Sequence, residues 1–418
     1  MTEIEEQMNR IGQQAKSASE VLRSSTAEIK SMGLLKAADY ILAHKDKIIA
    51  ANSTDMELAK GKNLNKAWLD RLFLDDTRLK NMVDSLKMIA ELPDPVGRIL
   101  REDTRPNGLR IKRISTPIGV IGVIFESRPN VTIDAAALSV KAGNTAILRC
   151  GSESFNTSRA LNRCFCAGLK NAGISEKCVQ LIPTRDRRAV NAMLKMSNFI
   201  DVIIPRGGRG LVELIQKEAR VPVFSHLEGI VHIYLHHDAD PNVARKVIIN
   251  SKTRRPGICG AVECLLVDER FLSKNGNQLF DDLISEGVEL RVGKGLEQLA
   301  GVNLANANDW GTEFLDMILA VRVVSHLDDA VQHIRKFGSN HTDCIITTND
   351  DVANKFFSAL DSAILMKNAS TQFADGGEFG FGAEIGIATG KLHARGPVGL
   401  EQLTTFKYIV EGQGTIRA

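Results

Sequence analysis

Short apolar runs alternate with longer amphipathic stretches over most of the chain, first through residues 117–225 and again through 229–348. The run VIGVIF at 120–125 has no polar alternation, which is typical of a strand buried on both faces. The stretch VTIDAAALSVKAG at 131–143 has the length of a helix and ends on a glycine, a common helix stop. Strands that alternate with helices of this length predict doubly wound parallel sheets, and the two series predict two α/β domains.

The individual elements follow from this alternation. The predicted strands are 120–125, 145–149, 179–182, 201–205, 221–224, 229–235, 261–268, 289–293, 319–324 and 343–348. The predicted helices between them are 131–143, 154–171, 187–195, 211–219, 241–252, 276–286 and 328–338. Parallel sheets bind ligands beyond the carboxyl ends of their strands, where the strand order reverses, and we expect the sites at those edges.

The first 90 residues and two outlying segments have a different pattern. Residues 1–90 predict helices, one of which should bury a single face formed by Leu34, Leu35, Ala38, Ile41 and Leu42. GLRIKRIST at 108–116 and LTTFKYIVEGQG at 403–414 predict further strands. An exposed strand at 108–116 could pair with another chain.

Composition argues against several classes of function. A net charge of +3 gives no global reason to expect nucleic-acid or membrane binding. The polar start, MTEIEEQMNRIGQQAK, predicts no signal peptide, and no apolar run approaches the roughly 20 residues of a membrane helix. We therefore expect a cytoplasmic protein. Its seven cysteines include no CxxC pair, so we expect free thiols and no metal site.

The stretch TRRPGICGAVE at 253–263 contains a cysteine that could be reactive. Cys259 has a glycine two residues before it and another directly after it, which allows a ligand to approach the backbone closely. Arg254 and Arg255 would favour a thiolate if their side chains point inward, and a thiolate is a good nucleophile toward an acyl carbon. From these features alone a buried structural thiol remains the alternative.

Glycine-rich and basic segments are weaker signals. PRGGRGLVELI at 205–215 follows a predicted strand and begins a helix, so its N–H groups could bind a phosphate. It does not match a dinucleotide-binding or P-loop motif, and neither does GGEFGFG at 376–382, so tight turns are the alternative. The basic cluster TRDRR at 184–188 could bind a phosphate-bearing cofactor or simply face solvent.

Three long stretches identify a family. They are GVIGVIFESRPNVTIDAAALSVKAGNTAILRCGSE at 119–153, RRPGICGAVE at 254–263 and FADGGEFGFGAEIGIATGKLHARGPVGLEQLTTFKY at 373–408. With these stretches in this order, the chain resembles the gamma-glutamyl phosphate reductases of the aldehyde dehydrogenase superfamily over essentially its full length. The resemblance implies an aldehyde dehydrogenase-like α/β fold with two doubly wound domains and a small β oligomerisation element. The implied parts are an NADPH-binding domain at 1–107, 117–228 and 366–402, a catalytic domain at 229–365 and oligomerisation strands at 108–116 and 403–418.

The resemblance also implies a reaction. Members reduce L-glutamate 5-phosphate with NADPH to L-glutamate 5-semialdehyde and release phosphate, in proline biosynthesis. Cys259 falls on the family's nucleophile, which forms a thioester. The oxyanion needs donors, and the resemblance implies the Cys259 N–H together with either Ser127 or Asn130 of FESRPN. A hydrolytic dehydrogenase and a non-catalytic binding protein are the alternatives.

One departure from the wider superfamily favours reduction over hydrolysis. The stretch HLEG places His226 where hydrolytic members carry a glutamate that activates water against the thioester. A reductase must keep water away from its thioester, so the loss of this base fits a reductase. It does not exclude hydrolysis, because a histidine can also act as a base.

Ligand contacts and partners follow from the same resemblance. The implied cofactor-binding residues are Arg149, Ser152, Glu153, Gly207, Gly208 and Glu313. An arginine near the adenosine ribose suits a 2′-phosphate and therefore NADPH. The candidates for binding the substrate's phosphate or α-carboxylate are Arg254, Arg255, His393 and Arg395. We expect a homo-oligomer, a dimer or a tetramer, and a separate glutamate 5-kinase as a functional partner, because 418 residues leave no room for a fused kinase.

Overall fold

The computed structural model describes residues 2–62 and 66–417, and the chain divides into two compact units. The first unit comprises Met1–Ser225, Gly380–Gly386 and Pro397–Ala418. The second unit comprises His226–Phe379 and Ile387–Gly396. The segments 226–228, 366–379 and 387–396, which the sequence assigned to the cofactor domain, therefore lie in the second unit. The segment 366–379 begins within the strand Ile364–Lys367 of that unit's sheet, which the sequence pattern did not predict.

The helices and strands are numbered in chain order. The helices are α1 Glu3–Leu22, α2 Ala27–Ala43, α3 Lys45–Gly61, α4 Lys66–Leu72, α5 Asp76–Glu91, α6 Pro129–Lys141, α7 Phe155–Asn171, α8 Arg188–Met193, α9 Arg209–Glu218, α10 Pro241–Thr253, α11 Glu269–Asn275, α12 Gln278–Ser285, α13 Leu327–Phe337 and α14 Asp350–Ala359. The strands are β1 Ile99–Thr104, β2 Arg110–Pro117, β3 Val120–Phe125, β4 Thr145–Arg149, β5 Val179–Leu181, β6 Val202–Arg206, β7 Val231–Leu235, β8 Val262–Asp268, β9 Glu289–Val292, β10 Asn303–Leu304, β11 Ile318–Val324, β12 Thr342–Ile346, β13 Ile364–Lys367, β14 Ile387–Ala388, β15 Gly396–Pro397 and β16 Thr404–Glu411.

The first unit contains a four-stranded parallel sheet in the order β5-β4-β3-β6. Every residue of β3 and β4 is buried, which explains the unbroken apolar run VIGVIF of β3 and the apolar centre AIL of β4. The strand order reverses between β3 and β6, so a crevice is expected beyond their carboxyl ends. The predicted strand at 221–224 is wrong, because this segment makes only one bridge, between Ile203 and Val223.

The amino-terminal residues are helical, as predicted, but one helix buries a narrower face than expected. Leu34, Ala38 and Ile41 are fully buried, whereas Leu35 and Leu42 are exposed. The buried face of α2 also includes Ala37. A Cβ on Gly168 of α7 would lie 2.3 Å from the Ala37 nitrogen, so these two helices pack backbone against backbone.

A three-stranded antiparallel sheet places β2 between β1 and β16. The prediction that an exposed strand at 108–116 could pair with another chain is therefore wrong for that strand, since both of its edges are paired within this chain. The edges that remain open belong to β1 and β16, and much of β16 is exposed. Oligomerisation through this sheet stays a prediction.

The second unit contains a seven-stranded parallel sheet in the order β10-β9-β11-β8-β7-β12-β13. All residues of β7, β8 and β12 are buried, and the helices α10 to α14 belong to this unit. The order reverses between β7 and β12, which makes the sheet doubly wound as predicted. Within the parts of the chain that the structure describes, no helix is long and apolar enough to cross a membrane.

Candidate active site

Cys259 lies in the loop between α10 and β8 and is partly buried. His226 lies shortly before β7, and His341 directly precedes β12. The Cys259 sulfur and one ring nitrogen of each histidine all lie within 4.8 Å of one another. Because β8, β7 and β12 are neighbours, this cluster forms at the amino ends of the strands. The expectation of a site at the carboxyl ends is therefore wrong for the cysteine.

Hydrogen bonds fix how the two imidazoles face the sulfur. His226 Nδ1 lies 2.7 Å from the carbonyl oxygen of Ile387, which can only accept, so Nδ1 carries the proton. This leaves His226 Nε2 to interact with the Cys259 sulfur. His341 is fully buried, with Nδ1 2.9 Å from the Thr342 hydroxyl, and its Nε2 has no hydrogen-bond partner among the described residues. The two rings meet edge to face with centroids 5.0 Å apart.

The pKa of the Cys259 thiol lies well below its ordinary value. Burial alone would raise this pKa, but attraction to His341 and His226, together with hydrogen bonding to His226, outweighs burial. Elsewhere burial prevails and raises the pKa of Cys166, Cys178 and Cys344 to about 12. Cys259 is therefore suited to exist as a thiolate at neutral pH.

The proposed arginine contribution to this thiolate is wrong. Arg254 and Arg255 follow the last turn of α10 and both are exposed to solvent. Neither is among the causes of the lowered pKa of Cys259, which are the two imidazoles. The condition under which these arginines would favour a thiolate, inward-pointing side chains, is therefore not met, and Cys259 as the nucleophile stays a prediction.

Gly229 and Glu313 complete the surroundings of Cys259. A Cβ on Gly229 would lie 2.3 Å from the Cys259 carbonyl oxygen and 2.7 Å from its Cβ, so a larger residue does not fit. The Gly229 N–H donates to Glu313 Oε1 at 2.8 Å. Burial is the main cause that raises the pKa of Glu313, and the nearby Cys259 charge adds to it. The structure thus brings the predicted ribose ligand Glu313 close to the predicted nucleophile.

The other predicted substrate ligands lie outside the His226–Cys259–His341 cluster. Arg395 Nη1 donates to Asp361 Oδ1 at 2.7 Å, and Nη2 donates to the Asp361 carbonyl oxygen. Lys391 also donates to Asp361, and these hydrogen bonds lower the pKa of Asp361 to about 2. His393 is exposed. Two of the Arg395 nitrogens are therefore already engaged within the protein.

A separate cavity of about 530 Å³ lies in the first unit, next to the carboxyl ends of β3 and β4. It collects three predicted cofactor residues and two arginines of the basic cluster: Arg149, Ser152, Glu153, Arg185 and Arg187. The Arg149 guanidinium is 8% exposed and donates to the carbonyl oxygens of Cys150 and Arg185. Its Nε is buried and has no partner in the described part of the chain. This cavity has the charge and the unsatisfied donor that an anionic ligand needs.

Ser127 and Asn130 differ in the hydrogen bonds they already make. The backbone N–H and the hydroxyl of Ser127 both donate to Glu153 Oε1, at 2.9 Å and 2.7 Å. Ser127 adopts a φ of 42°, in the left-handed region. Asn130 Nδ2 donates to Asp134 at 2.9 Å, and an amide has a second N–H. Asn130 therefore keeps a donor that Ser127 does not.

The predicted phosphate-binding turn begins α9. The Gly208 N–H donates to a carboxylate oxygen of Glu126 at 3.0 Å. A Cβ on Gly207 would lie 2.6 Å from the same oxygen, so a larger residue there would require the Glu126 side chain to move. A negatively charged group thus lies at the amino end of α9, where the helix dipole favours an anion.

Comparisons with known proteins show which family this chain resembles. The model of the aldehyde dehydrogenase family matches residues 2–311. The chain is 52% identical to a gamma-glutamyl phosphate reductase of Rhizobium johnstonii over 417 residues, which are 99% of this chain and 98% of that protein. The crystal structure of a gamma-glutamyl phosphate reductase from Thermotoga maritima is 40% identical, has a TM-score of 0.95 and covers 98% of this chain and 100% of its own. An acetylating aldehyde dehydrogenase from Geobacillus thermoglucosidasius, 18% identical with a TM-score of 0.71 over 99% of this chain and 98% of its own, shares the fold.

Proposed function

The chain belongs to the gamma-glutamyl phosphate reductases of the aldehyde dehydrogenase family, and we propose that it reduces L-glutamate 5-phosphate to L-glutamate 5-semialdehyde, with NADPH as hydride donor and release of phosphate. The observation that carries this proposal is Cys259, whose thiol pKa is lowered by two imidazoles. A relative with 52% identity and a structural neighbour with 40% identity both carry the name of this activity. The proposed reaction is a step of proline biosynthesis in the cytoplasm.

The first half of the reaction uses the Cys259 thiolate as nucleophile. Its sulfur attacks the acyl carbon of the substrate, the bond from that carbon to the phosphate oxygen breaks, and phosphate leaves with the electron pair. A thioester on Cys259 remains. The oxyanion that forms during attack needs N–H donors, and we propose the backbone N–H of Cys259 and the side chain of Asn130. We prefer Asn130 to Ser127 because Glu153 already accepts both donors of Ser127.

The second half reduces the thioester. NADPH, when bound by the residues proposed below, would supply a hydride for the thioester carbon. The resulting oxyanion collapses, the carbon–sulfur bond breaks, the Cys259 thiolate is regenerated and the aldehyde leaves. His226 donates through Nδ1 to Ile387, and its remaining nitrogen is the partner of the sulfur. This arrangement suits a residue that holds a thiolate better than one that activates water, so we favour reduction over hydrolysis.

The cavity of the first unit fits the proposed cofactor. Arg149 Nε is a buried donor with no partner in the described structure, and a 2′-phosphate would satisfy it. We propose that Arg149, Arg185 and Arg187 bind this phosphate and that Ser152 and Glu153 bind the adenosine ribose. The remaining proposed cofactor contacts are Gly207 and Gly208 for the pyrophosphate and Glu313 for the nicotinamide ribose.

The substrate's phosphate and α-carboxylate need cationic partners, and four residues are proposed for this role. Arg254 and Arg255 are exposed and are proposed to bind the phosphate or the α-carboxylate. Arg395 donates through two of its nitrogens to Asp361, and its buried Nε, which has no partner in the described structure, is the donor left for an anion. His393 remains a proposed ligand for the same groups.

We further propose a homo-oligomer that forms through the three-stranded sheet. The edge strand β16 exposes Phe406, Tyr408 and Val410, and its edge away from β2 is open. Light scattering after size-exclusion chromatography tests this proposal, and a monomer at all concentrations would contradict it. A separate glutamate 5-kinase is the proposed functional partner, because it would supply the acyl phosphate.

The decisive experiment runs the reaction in reverse, because acyl phosphates are short-lived. The protein is mixed with glutamate 5-semialdehyde, NADP+ and phosphate, and the absorbance of reduced nicotinamide is followed. Reduction of NADP+ that requires phosphate, disappears in C259A and persists in C164A supports the proposal. Turnover without phosphate would instead identify a hydrolytic dehydrogenase. No turnover in the unmodified protein would reject the proposed reaction.

A further inference from the structure

The second unit contains two clusters that have the same donor atoms. In each cluster one cysteine sulfur and two histidine nitrogens lie within 4.8 Å of one another. The clusters are His226, Cys259 and His341, and His232, Cys264 and His333. Imidazole nitrogen and thiolate sulfur are preferred ligands of Zn²⁺, so both clusters have the correct chemistry. The hydrogen bonds of their imidazoles decide which of them can bind a metal ion.

The first cluster has the geometry of a zinc site. Two imidazoles on one tetrahedral zinc hold their ring centroids about 5 Å apart, because Zn–N bonds are about 2.0–2.1 Å long. The centroids of His226 and His341 are 5.0 Å apart. The cluster also opens toward solvent, since Cys259 is only partly buried.

Both histidines of this cluster have an outer partner that can accept their second N–H when a metal ion is bound. A zinc-binding histidine usually donates its second N–H to a carbonyl or another acceptor, which fixes the ring and its tautomer. His226 does so to the Ile387 carbonyl oxygen at 2.7 Å, and His341 Nδ1 lies 2.9 Å from the Thr342 hydroxyl. His341 Nε2 is buried without a hydrogen-bond partner in the described residues, and a metal ion would satisfy its lone pair.

The second cluster has the wrong tautomer. Arg322 Nη1 lies 2.8 Å from His333 Nδ1, and a guanidinium only donates, so Nδ1 is unprotonated. The ring proton is therefore on Nε2, which lies 3.5 Å from the Cys264 sulfur. A protonated nitrogen cannot bind a metal ion, and all three residues of this cluster are buried. The second cluster is thus a matched comparison within the same unit.

We propose that His226, Cys259 and His341 bind one zinc ion per chain, with the fourth coordination position open, and that bound zinc inhibits the enzyme. Zinc would use the sulfur lone pair that must attack the acyl carbon. Binding depends only on the cluster, whereas inhibition rests on the proposed function. The site therefore makes the enzyme sensitive to free zinc.

Metal titration of the full-length protein tests binding without any substrate. Zinc is titrated in competition with a chromophoric chelator, and cobalt is used as a spectroscopic substitute. We expect one tight site per chain and a thiolate-to-cobalt charge-transfer band that is absent in C259A. H226N and H341N each remove a ligand, so affinity should fall by more than the roughly 10–100-fold that loss of an outer hydrogen bond costs. C264A should keep the tight site, and C259S replaces C259A if the latter does not fold.

Alkylation separates the zinc site from the proposed reaction. Iodoacetamide labelling, read by mass spectrometry, should slow at Cys259 when zinc is added and stay unchanged at Cys164. Affinity that is equal in all variants, or a cobalt spectrum without thiolate charge transfer, would mean adventitious binding and would overturn the proposal. Zinc protection of Cys259 in a protein without phosphate-dependent turnover would reject the proposed reaction and retain the site. Phosphate-dependent turnover that zinc does not inhibit would retain the reaction and reject the site.

Discussion

Replacing Gly229 with alanine should disable the active site through a steric effect at Cys259. The added Cβ would lie 2.3 Å from the Cys259 carbonyl oxygen, 2.7 Å from its Cβ and 2.8 Å from its Cα. These neighbours are backbone and Cβ atoms, which cannot rotate away as the end of a long side chain can. Gly229 has no positive φ, so alanine is compatible with its backbone conformation and the effect is one of space alone.

The size of the effect follows from the displacement that the alanine requires. An ordinary van der Waals contact begins near 3.4 Å, so the loop of Cys259 or that of Gly229 must shift by about 1 Å. A misplacement of about 1 Å at a reacting group can reduce the rate about 100-fold. Inserting a methyl into a filled site costs about 1–3 kcal/mol of folding free energy. We therefore expect G229A to lower kcat/KM about 100-fold while most of the protein remains folded.

The assay compares G229A with G257A, a matched control from the loop of Cys259. A Cβ on Gly257 would have as its nearest neighbour the Leu315 carbonyl oxygen at 3.8 Å, an ordinary contact. Reverse-direction kcat/KM and urea unfolding are measured for both variants, and G257A should stay within about twofold of the unmodified enzyme, because it requires no displacement. Unchanged kcat/KM in G229A, or an equal loss in G257A, would refute the steric argument.

Three further substitutions test the electrostatic roles of His341, Arg149 and Lys252. H341N removes the main attraction that lowers the pKa of Cys259. We therefore expect alkylation of Cys259 to reach half its maximal rate at a higher pH, and the acid limb of kcat/KM to move in the same direction. An unchanged alkylation midpoint would contradict this. R149M should raise KM for NADPH about 10–100-fold, because a charged hydrogen bond contributes about 1.5–3 kcal/mol, with little change for NADH; equal effects on both nucleotides would contradict a 2′-phosphate contact. K252M breaks the fully buried ion pair between Lys252 Nζ and Glu263, 2.6 Å apart, and should lower the free energy of unfolding by about 3–5 kcal/mol in urea titrations. The pKa of Glu263 is already raised to about 7, mainly by burial, so the K252M deficit should grow as the pH rises and the carboxyl loses its proton; a pH-independent deficit would argue against the charge.

The sequence predicted the strands and helices whose burial produces a recognisable pattern of apolar residues. Strands β3, β7 and β8 are buried throughout, so β3 is apolar throughout and the other two are apolar apart from His232, Glu263 and Asp268. Strand β1 was missed because nearly all of its residues are exposed and its sequence, ILREDT, has no apolar alternation. Strand β13 has only four residues, which is too short for a period to be recognised.

Only part of the site could be predicted, because Cys259 lies in a recognisable local motif whereas its histidine neighbours are distant in the sequence. Cys259 was identifiable from its glycine neighbours and from a resemblance that covers a long motif. His341 was not, because it approaches Cys259 only through the neighbouring positions of β8, β7 and β12 in the sheet. That order follows from three-dimensional packing rather than from any local pattern. His226 was noted as the replacement of a base, but its role beside the sulfur depends on the Ile387 carbonyl, which is distant in sequence.

The cofactor cavity lies beyond the carboxyl ends of strands in the first unit, whereas Cys259 lies at the amino ends of strands in the second unit. Helix dipoles therefore act differently on a negative charge in the two sites. Phosphate groups are stabilised by the amino ends of helices, which follow the carboxyl ends of parallel strands, and the turn before α9 fits that rule. Cys259 instead lies in the loop that follows α10, with no helix amino end directly before it in the chain to stabilise a negative charge. A thiolate at this edge therefore needs a positive partner from elsewhere, and the exposed Arg254 and Arg255 do not supply it. The two imidazoles at the amino ends of β7 and β12 lower the pKa of the thiol instead, which is why removing one of them should reduce the reactivity of Cys259.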